Sequence, residues 1–199
     1  AKTVISNATI WNLYGSLIDD KNISKRRKKW AQNFKPSSSI FAVYLGVNSS
    51  VIPQDTKPTQ ILSYVDEGTP SYLTIYITSL LDPEASPPCT HSMCIFLPKI
   101  TPNKTQPIDG KVKYQDRDYI TGKTDKASII IDYLDKNFFP GLKDNILVKD
   151  IATPHTIQRY TMKNAGAIGG PQVNMRQSYM SRLAARSDWE GLYCVGDST

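Results

Sequence analysis

Ser39-Ile40-Phe41-Ala42-Val43-Tyr44-Leu45-Gly46-Val47 places Phe41, Val43, Leu45 and Val47 on one face, apolar throughout. That period of two is the signature of a strand with one side buried. Thr59 to Val65 and Tyr72 to Ser79 repeat it, with Leu73, Ile75 and Ile77 opposite Tyr72, Thr74, Tyr76 and Thr78. Asp66-Glu67-Gly68 supplies the turn between them. Ser92 to Leu97 and Ile146 to Val148 add strands, and Lys2 to Ser6 is a short one ending at Asn7-Ala8. Thr9 to Leu17 and Asn22 to Phe34 read as helical. From Asp125 to Phe138, Ala127, Ile131, Leu134 and Phe138 form a helical stripe that Pro140-Gly141 terminates. Thr153-Pro154 leads into a helical turn at His155 to Tyr160. Pro83, Pro87, Pro88, Pro98, Pro102 and Pro107 mark irregular connections. The sum is an α+β fold with a mixed, mostly antiparallel sheet and helices on one face.

The 199 residues, 40% apolar and 10% aromatic, supply a sizeable core. Lys and Arg total 24 against 18 acids, giving +6, an excess compatible with lipid headgroups, nucleic acid or plain solubility. Three cysteines, Cys89, Cys94 and Cys194, argue against a disulfide framework and predict free thiols in an intracellular compartment. No run approaches the roughly 18 consecutive apolar residues of a membrane span. The Asn-x-Ser/Thr triplets at Asn7, Asn22, Asn48 and Asn103 are read as chance in a chain rich in these residues.

At the carboxyl end, Gly191-Leu192-Tyr193-Cys194-Val195-Gly196-Asp197 is a strand running into a small-residue turn that closes on an acid. Glycine permits close approach of backbone to a diphosphate or sugar, and a carboxylate beyond it accepts hydrogen bonds from sugar-chain hydroxyls. A helix expected after such a turn is absent, so the chain reads as a piece of a longer protein.

Six segments in order carry a family resemblance: Ile5-Ser6-Asn7-Ala8, Phe41 to Val47, Pro87-Pro88-Cys89-Thr90-His91-Ser92, Thr153-Pro154-His155-Thr156, Gly166-Ala167-Ile168-Gly169-Gly170-Pro171, and Gly191 to Asp197. Together they resemble carotenoid isomerases and phytoene-desaturase-like flavoproteins. Cys89 stands where the family's Pro-Pro-Gly-x-His pattern has glycine. The resemblance implies a parent about twice this length, in which one domain holds FAD and another encloses an isoprenoid polyene. It implies that residues 1–8 are a stub of the FAD-binding domain, 9–188 the substrate-binding domain, and 189–199 the start of a second FAD-binding segment. The Gly-x-Gly-x-x-Gly fingerprint of the cofactor fold does not occur here. By resemblance, Gly196 and Asp197 contact the cofactor, with Ser6, Asn7 and Ala8 at its edge. Gly166, Ala167, Gly169 and Gly170 bring backbone close to flavin or polyene. The flavin carries the redox chemistry, so no acid or base is assigned. A plastid-type or cytoplasmic compartment follows, and the isolated segment is expected neither to retain FAD nor to turn over substrate.

Other features compete with that reading. Cys89-x-His91-x-x-Cys94 imitates metal-ligand spacing but lacks a fourth ligand, so no metal is assigned, and Cys94 is expected in the core. Lys25-Arg26-Arg27-Lys28-Lys29 lacks a second basic patch and a nucleic-acid motif, which points away from nucleic acid. With Trp30 and Phe34 beside it, the run suits peripheral contact with an anionic membrane. Three function classes remain open: a flavoenzyme fragment acting on a carotenoid, a non-catalytic prenyl-binding relative like the dissociation inhibitors of small GTPases, and a nucleic-acid module.

Overall fold

In a computed structural model, residues 1–99, 116–177 and 181–199 are described; Pro102, Pro107 and the triplet at Asn103 lie outside the described residues. The chain divides into two compact units, one built from its two ends, within Ala1–Ser39 and Pro154–Thr199, the other from the middle, from Ile40 to Thr153.

The middle unit is organised by β2 (Ser39–Asn48), whose Phe41, Val43, Leu45 and Val47 are all buried. It belongs to a five-stranded sheet with β3 (Thr59–Asp66), β4 (Thr69–Tyr76), β5 (Thr90–Lys99) and β6 (Ile146–Ala152), in the order β3-β4-β5-β2-β6. The β3–β4, β4–β5 and β2–β6 pairings are antiparallel. Glu67 and Gly68, both at positive φ, close the β3–β4 turn, where glycine's freedom suits the reversal. The inward face carries Leu73, Ile75, Met93, Ile95 and Leu97, and α3 (Arg117–Asn137) packs Ala127, Ile130, Ile131 and Leu134 against it. The α+β class, with its mostly antiparallel sheet and helix-covered face, is therefore the one the alternation predicts.

Local boundaries differ where polar residues obscure the pattern. Helix α3 begins at Arg117, with the Asp116 carboxylate capping the amide of Asp118, a whole turn and more before the apolar stripe starts. Strand β4 stops at Tyr76, because Ile77 turns inward and donates its amide to Pro58 at 2.8 Å. Cys94 does not enter the core. Met93, Ile95 and Leu97 take the inward positions, so the period of two sends Cys94 to the opposite face, half-buried.

In the terminal unit, β1 (Val4–Ser6) pairs in parallel with β7 (Leu192–Cys194), placing Ser6 opposite Cys194. Thr9 caps α1 (Ile10–Asn12), which widens into a π-helical turn over Leu13–Leu17. Helix α2 spans Lys25–Gln32, and its Ser24 hydroxyl accepts the Arg27 amide at 3.2 Å. It starts three residues later than the composition predicts because Ser24 is the better cap. Ile10, Leu13, Tyr14, Ala31, Phe34, Leu183 and Cys194 form this unit's core. Helix α4 (Pro154–Thr161) opens on the proline the sequence singles out. No helix among the described residues is long and apolar enough to cross a membrane.

Candidate functional site

Parallel pairing puts the carboxyl ends of β1 and β7 side by side, so Ser6-Asn7-Ala8 and Val195-Gly196-Asp197 leave their strands together. The Val195 amide donates to the Ser6 carbonyl at 2.9 Å, which extends the pair by one residue. The carboxyl ends of parallel strands are where open α/β sheets bind nucleotide cofactors. All five residues expected at the cofactor thus converge from opposite ends of the chain. Gly196 has φ +104, and a Cβ there would lie 2.2 Å from the Asn7 carboxamide oxygen. The φ of +104 favours glycine, and any larger residue would also have to displace the Asn7 side chain.

The carboxylate of Asp197 forms an ion pair with Lys163 and lies 3.5 Å from the Ser198 hydroxyl. That hydroxyl accepts the Ile10 amide, fully buried, at 3.2 Å. Arg182 reaches the Asp197 carbonyl at 3.4 Å and the Pro171 carbonyl at 2.8 Å. The acid is thereby fixed in place at the mouth of the strand pair, a quarter exposed and able to accept further hydrogen bonds.

Gly166, Ala167, Gly169 and Gly170 lie in the same unit. Ser39 donates its hydroxyl to the Gly166 carbonyl at 2.6 Å, Gly169 donates its amide to the Ser37 hydroxyl at 3.0 Å, and the Gly170 carbonyl accepts the Ser37 amide at 2.8 Å. Ala167 is fully buried. Gly166 and Gly170 sit at positive φ, and their Cβ positions would fall 2.2 Å from the Pro154 carbonyl and 2.3 Å from the Asp197 carbonyl. The close approach these glycines permit is to the protein's own backbone, and it seats the loop against Asp197.

The basic run is partly consumed by structure. Arg27 grips Asp188 in a two-pronged contact of 2.7 and 3.2 Å and stacks 3.8 Å over Trp30. Tyr14 donates to the same carboxylate at 3.0 Å, and burial pushes its phenol up to about 12. Lys28 pairs with Asp20 at 2.6 Å. Lys25, Arg26 and Lys29 are left exposed. In the middle unit, the His91 ring meets the Ser79 hydroxyl at 2.8 Å, while Cys89 is exposed at φ +61. That left-handed φ explains glycine in the family pattern. Burial raises the Cys94 and Cys194 thiols above their ordinary range.

One surface escapes the reading by motif. On the sheet face away from α3, Tyr44, Tyr76 and Phe96 form edge-to-face and tilted pairs with centroids 6.1 and 5.6 Å apart. Ile61 and Val148 stand exposed on neighbouring strands. The signal was present as aromatic and branched residues at the nominally polar strand positions.

No family profile matches the chain. Over its whole length it is 30% identical to prolycopene isomerase 2 of an Oncidium hybrid and 29% identical to the Arabidopsis thaliana prolycopene isomerase, both named as chloroplastic, and covers 33% of each. A 4,4'-diaponeurosporene oxygenase of Staphylococcus haemolyticus is 25% identical, with 39% of it covered. Among solved structures, an oxidoreductase from Methanosarcina mazei superposes over the whole chain and 38% of its own, with a TM-score of 0.52 at 14% identity, a likeness of fold. The chain spans about a third of the length of the isomerases it matches. Its relatives are carotenoid isomerases and desaturase-type enzymes, the group that the order of its six motifs implies.

Proposed function

We infer that this chain is part of an FAD-dependent oxidoreductase that isomerises or desaturates a carotenoid or related isoprenoid in a plastid-type or cytoplasmic compartment. The observation that carries the reading is the convergence of Ser6, Asn7, Ala8, Gly196 and Asp197 at the carboxyl ends of a parallel strand pair, the arrangement a dinucleotide needs. In this reading the strands at residues 1–8 and 189–199 belong to the cofactor domain. Asp197 would accept hydrogen bonds from the ribityl hydroxyls, with its carboxylate paired to Lys163 and its main-chain carbonyl reached by Arg182. The Gly166–Gly170 loop braces that acid from behind. Bound flavin would exchange hydride or electrons with the polyene, while the chain's own residues orient it and exclude water. The aromatic sheet face of Tyr44, Tyr76 and Phe96 suits a conjugated chain, since rings stack on π-systems with little polar cost. The test is to incubate the full-length protein with a poly-cis carotene and reduced flavin, and separately with phytoene, oxidised flavin and a quinone as terminal electron acceptor. A shift in polyene absorbance with one of them is expected; no conversion of either by a flavin-loaded protein contradicts the reading.

A second reading concerns where an apolar substrate is met. Lys25, Arg26 and Lys29 remain exposed beside Trp30, which favours peripheral contact with an anionic membrane. Arg27 and Lys28 are held by Asp188 and Asp20 and serve the fold. Reversing Lys25, Arg26 and Lys29 to Glu, leaving Arg27 and Lys28 intact, is expected to abolish pelleting with anionic liposomes. Unchanged pelleting removes the idea.

A further inference from the structure

A cavity of about 670 Å³ opens beside α2, walled by Arg26, Lys29, Lys35 and Arg176 and floored by Trp30 and Phe34. Among the described residues, no acidic side chain lines it. None of the four cations makes an ion pair among the described residues, whereas Arg27, Lys28, Lys126, Lys143 and Lys163 all do. Like charges gathered without a counter-charge repel, so the arrangement is stable only against water or an anion.

The gathering is built. The buried Gln177 carboxamide accepts the Lys35 amide at 2.9 Å and donates to the Lys35 and Gln172 carbonyls, both at 3.1 Å, which locks Lys35 next to Arg176. Trp30 and Phe34 meet edge to face at 5.2 Å, and the Phe34 carbonyl holds the buried Trp11 indole at 3.0 Å. Beside the cationic wall, Val173 and Met175 project into solvent, 74% and 100% exposed. Cations on α2 also crowd its first turn, where the helix dipole disfavours them.

We propose that this cavity seats the phosphate headgroup of an anionic bilayer lipid, with Arg26, Lys29, Lys35 and Arg176 on the phosphate, Trp30 and Phe34 under the glycerol and first methylenes, and Val173 and Met175 in the interface. The inference rests on the membrane reading for its occupant but adds a discrete, saturable site to it. A free phosphate uses only the cations and has no use for the aromatic floor or the two exposed apolar side chains. The lipid uses all of them.

The experiment titrates the 199-residue chain with monomeric dihexanoyl phosphatidic acid, followed by calorimetry, beside pelleting with phosphatidylglycerol vesicles. One-to-one saturable binding is expected. Lys35→Gln with Arg176→Gln is expected to weaken it by about tenfold or more, and Lys57→Gln, an exposed cation of the middle unit outside the cavity, by less than about twofold. Both sets of side chains are exposed, and a matching thermal midpoint certifies the fold. As a second readout on native charges, a bromine-bearing short-chain lipid is expected to quench fluorescence in the wild type and not in Trp30→Phe, although Trp11 and Trp189 remain. Inorganic phosphate at equal concentration is expected not to displace the lipid. Absence of saturable binding, an equal loss with Lys57→Gln, quenching that survives Trp30→Phe, or displacement by phosphate each overturns the proposal. If vesicle pelleting persists in those cases, diffuse attraction to the membrane survives and the discrete site does not; if wild-type pelleting is also absent, both fail.

Discussion

At the scale of single residues, backbone conformation and burial make sharp demands. Cys89 adopts φ +61, a region that costs an L-residue about 1–2 kcal/mol, and glycine there gives back about 0.5–1 kcal/mol through the looser unfolded chain. Cys89→Gly is therefore expected to stabilise the protein by about 0.5–1 kcal/mol in urea denaturation; a loss of stability contradicts the account. Tyr14 supplies a pH dependence. Burial, opposed by Arg27 and reinforced by Asp188, lifts its phenol from 10.0 to about 12, so the folded protein holds a proton that the unfolded chain releases. Stability from this group is intact below pH 10 and is lost as pH rises from 10 to about 12, by up to about 3 kcal/mol. Tyr14→Phe is expected to flatten that alkaline decline relative to wild type, measured as the difference in urea midpoint at pH 9 and pH 11. An unchanged slope would place the tyrosine in a different environment.

At the scale of elements, helix α2 sets charge against its own dipole. Lys25, Arg26 and Arg27 occupy its first turn with no acid among them. Lys25→Glu is expected to stabilise the helix by about 0.3–1 kcal/mol while weakening adhesion to anionic vesicles, so thermal midpoint and pelleting move in opposite directions. Movement in the same direction would contradict the assignment. Legibility also divides at this scale. The alternation of β2 and β4 was readable because Phe41, Val43, Leu45 and Val47, and Leu73, Ile75 and Ile77, stand at every second position between small or polar-tipped residues such as Ala42, Tyr44, Gly46, Thr74 and Tyr76, whereas β3 carries Ile61 and Val65 on its outer face. In β5 the unbroken run from Met93 to Leu97 carries no such contrast, which is why the inward set, Met93, Ile95 and Leu97, had to come from the fold and Cys94 moved to the other face. Helix α3 was visible only where its stripe is apolar, and its first turns, Arg117 to Thr124, are polar. The candidate cofactor residues were legible as two separate motifs. Their meeting at one cofactor was implied by the family resemblance alone, because parallel pairing of the first and last strands is a tertiary fact that no local period encodes.

At the scale of the whole molecule, the two ends of the chain fold together and the middle forms its own sheet unit. The curated isomerases are about three times as long as this chain, and the Gly-x-Gly-x-x-Gly fingerprint does not occur within it. Purified by itself, the 199-residue chain is expected to be colourless, and flavin absorbance near one equivalent would contradict that. The central claim is that Asp197 holds the sugar chain of the flavin, and the flavin content of the full-length protein tests it. Removing a charged hydrogen-bond partner costs about 1.5–3 kcal/mol, so Asp197→Ala is expected to bind FAD about tenfold to a hundredfold more weakly than wild type. Lys163→Ala, which breaks the same ion pair but keeps the carboxylate, is expected to lose far less. Equal flavin occupancy in Asp197→Ala and wild type across an FAD titration would contradict the account.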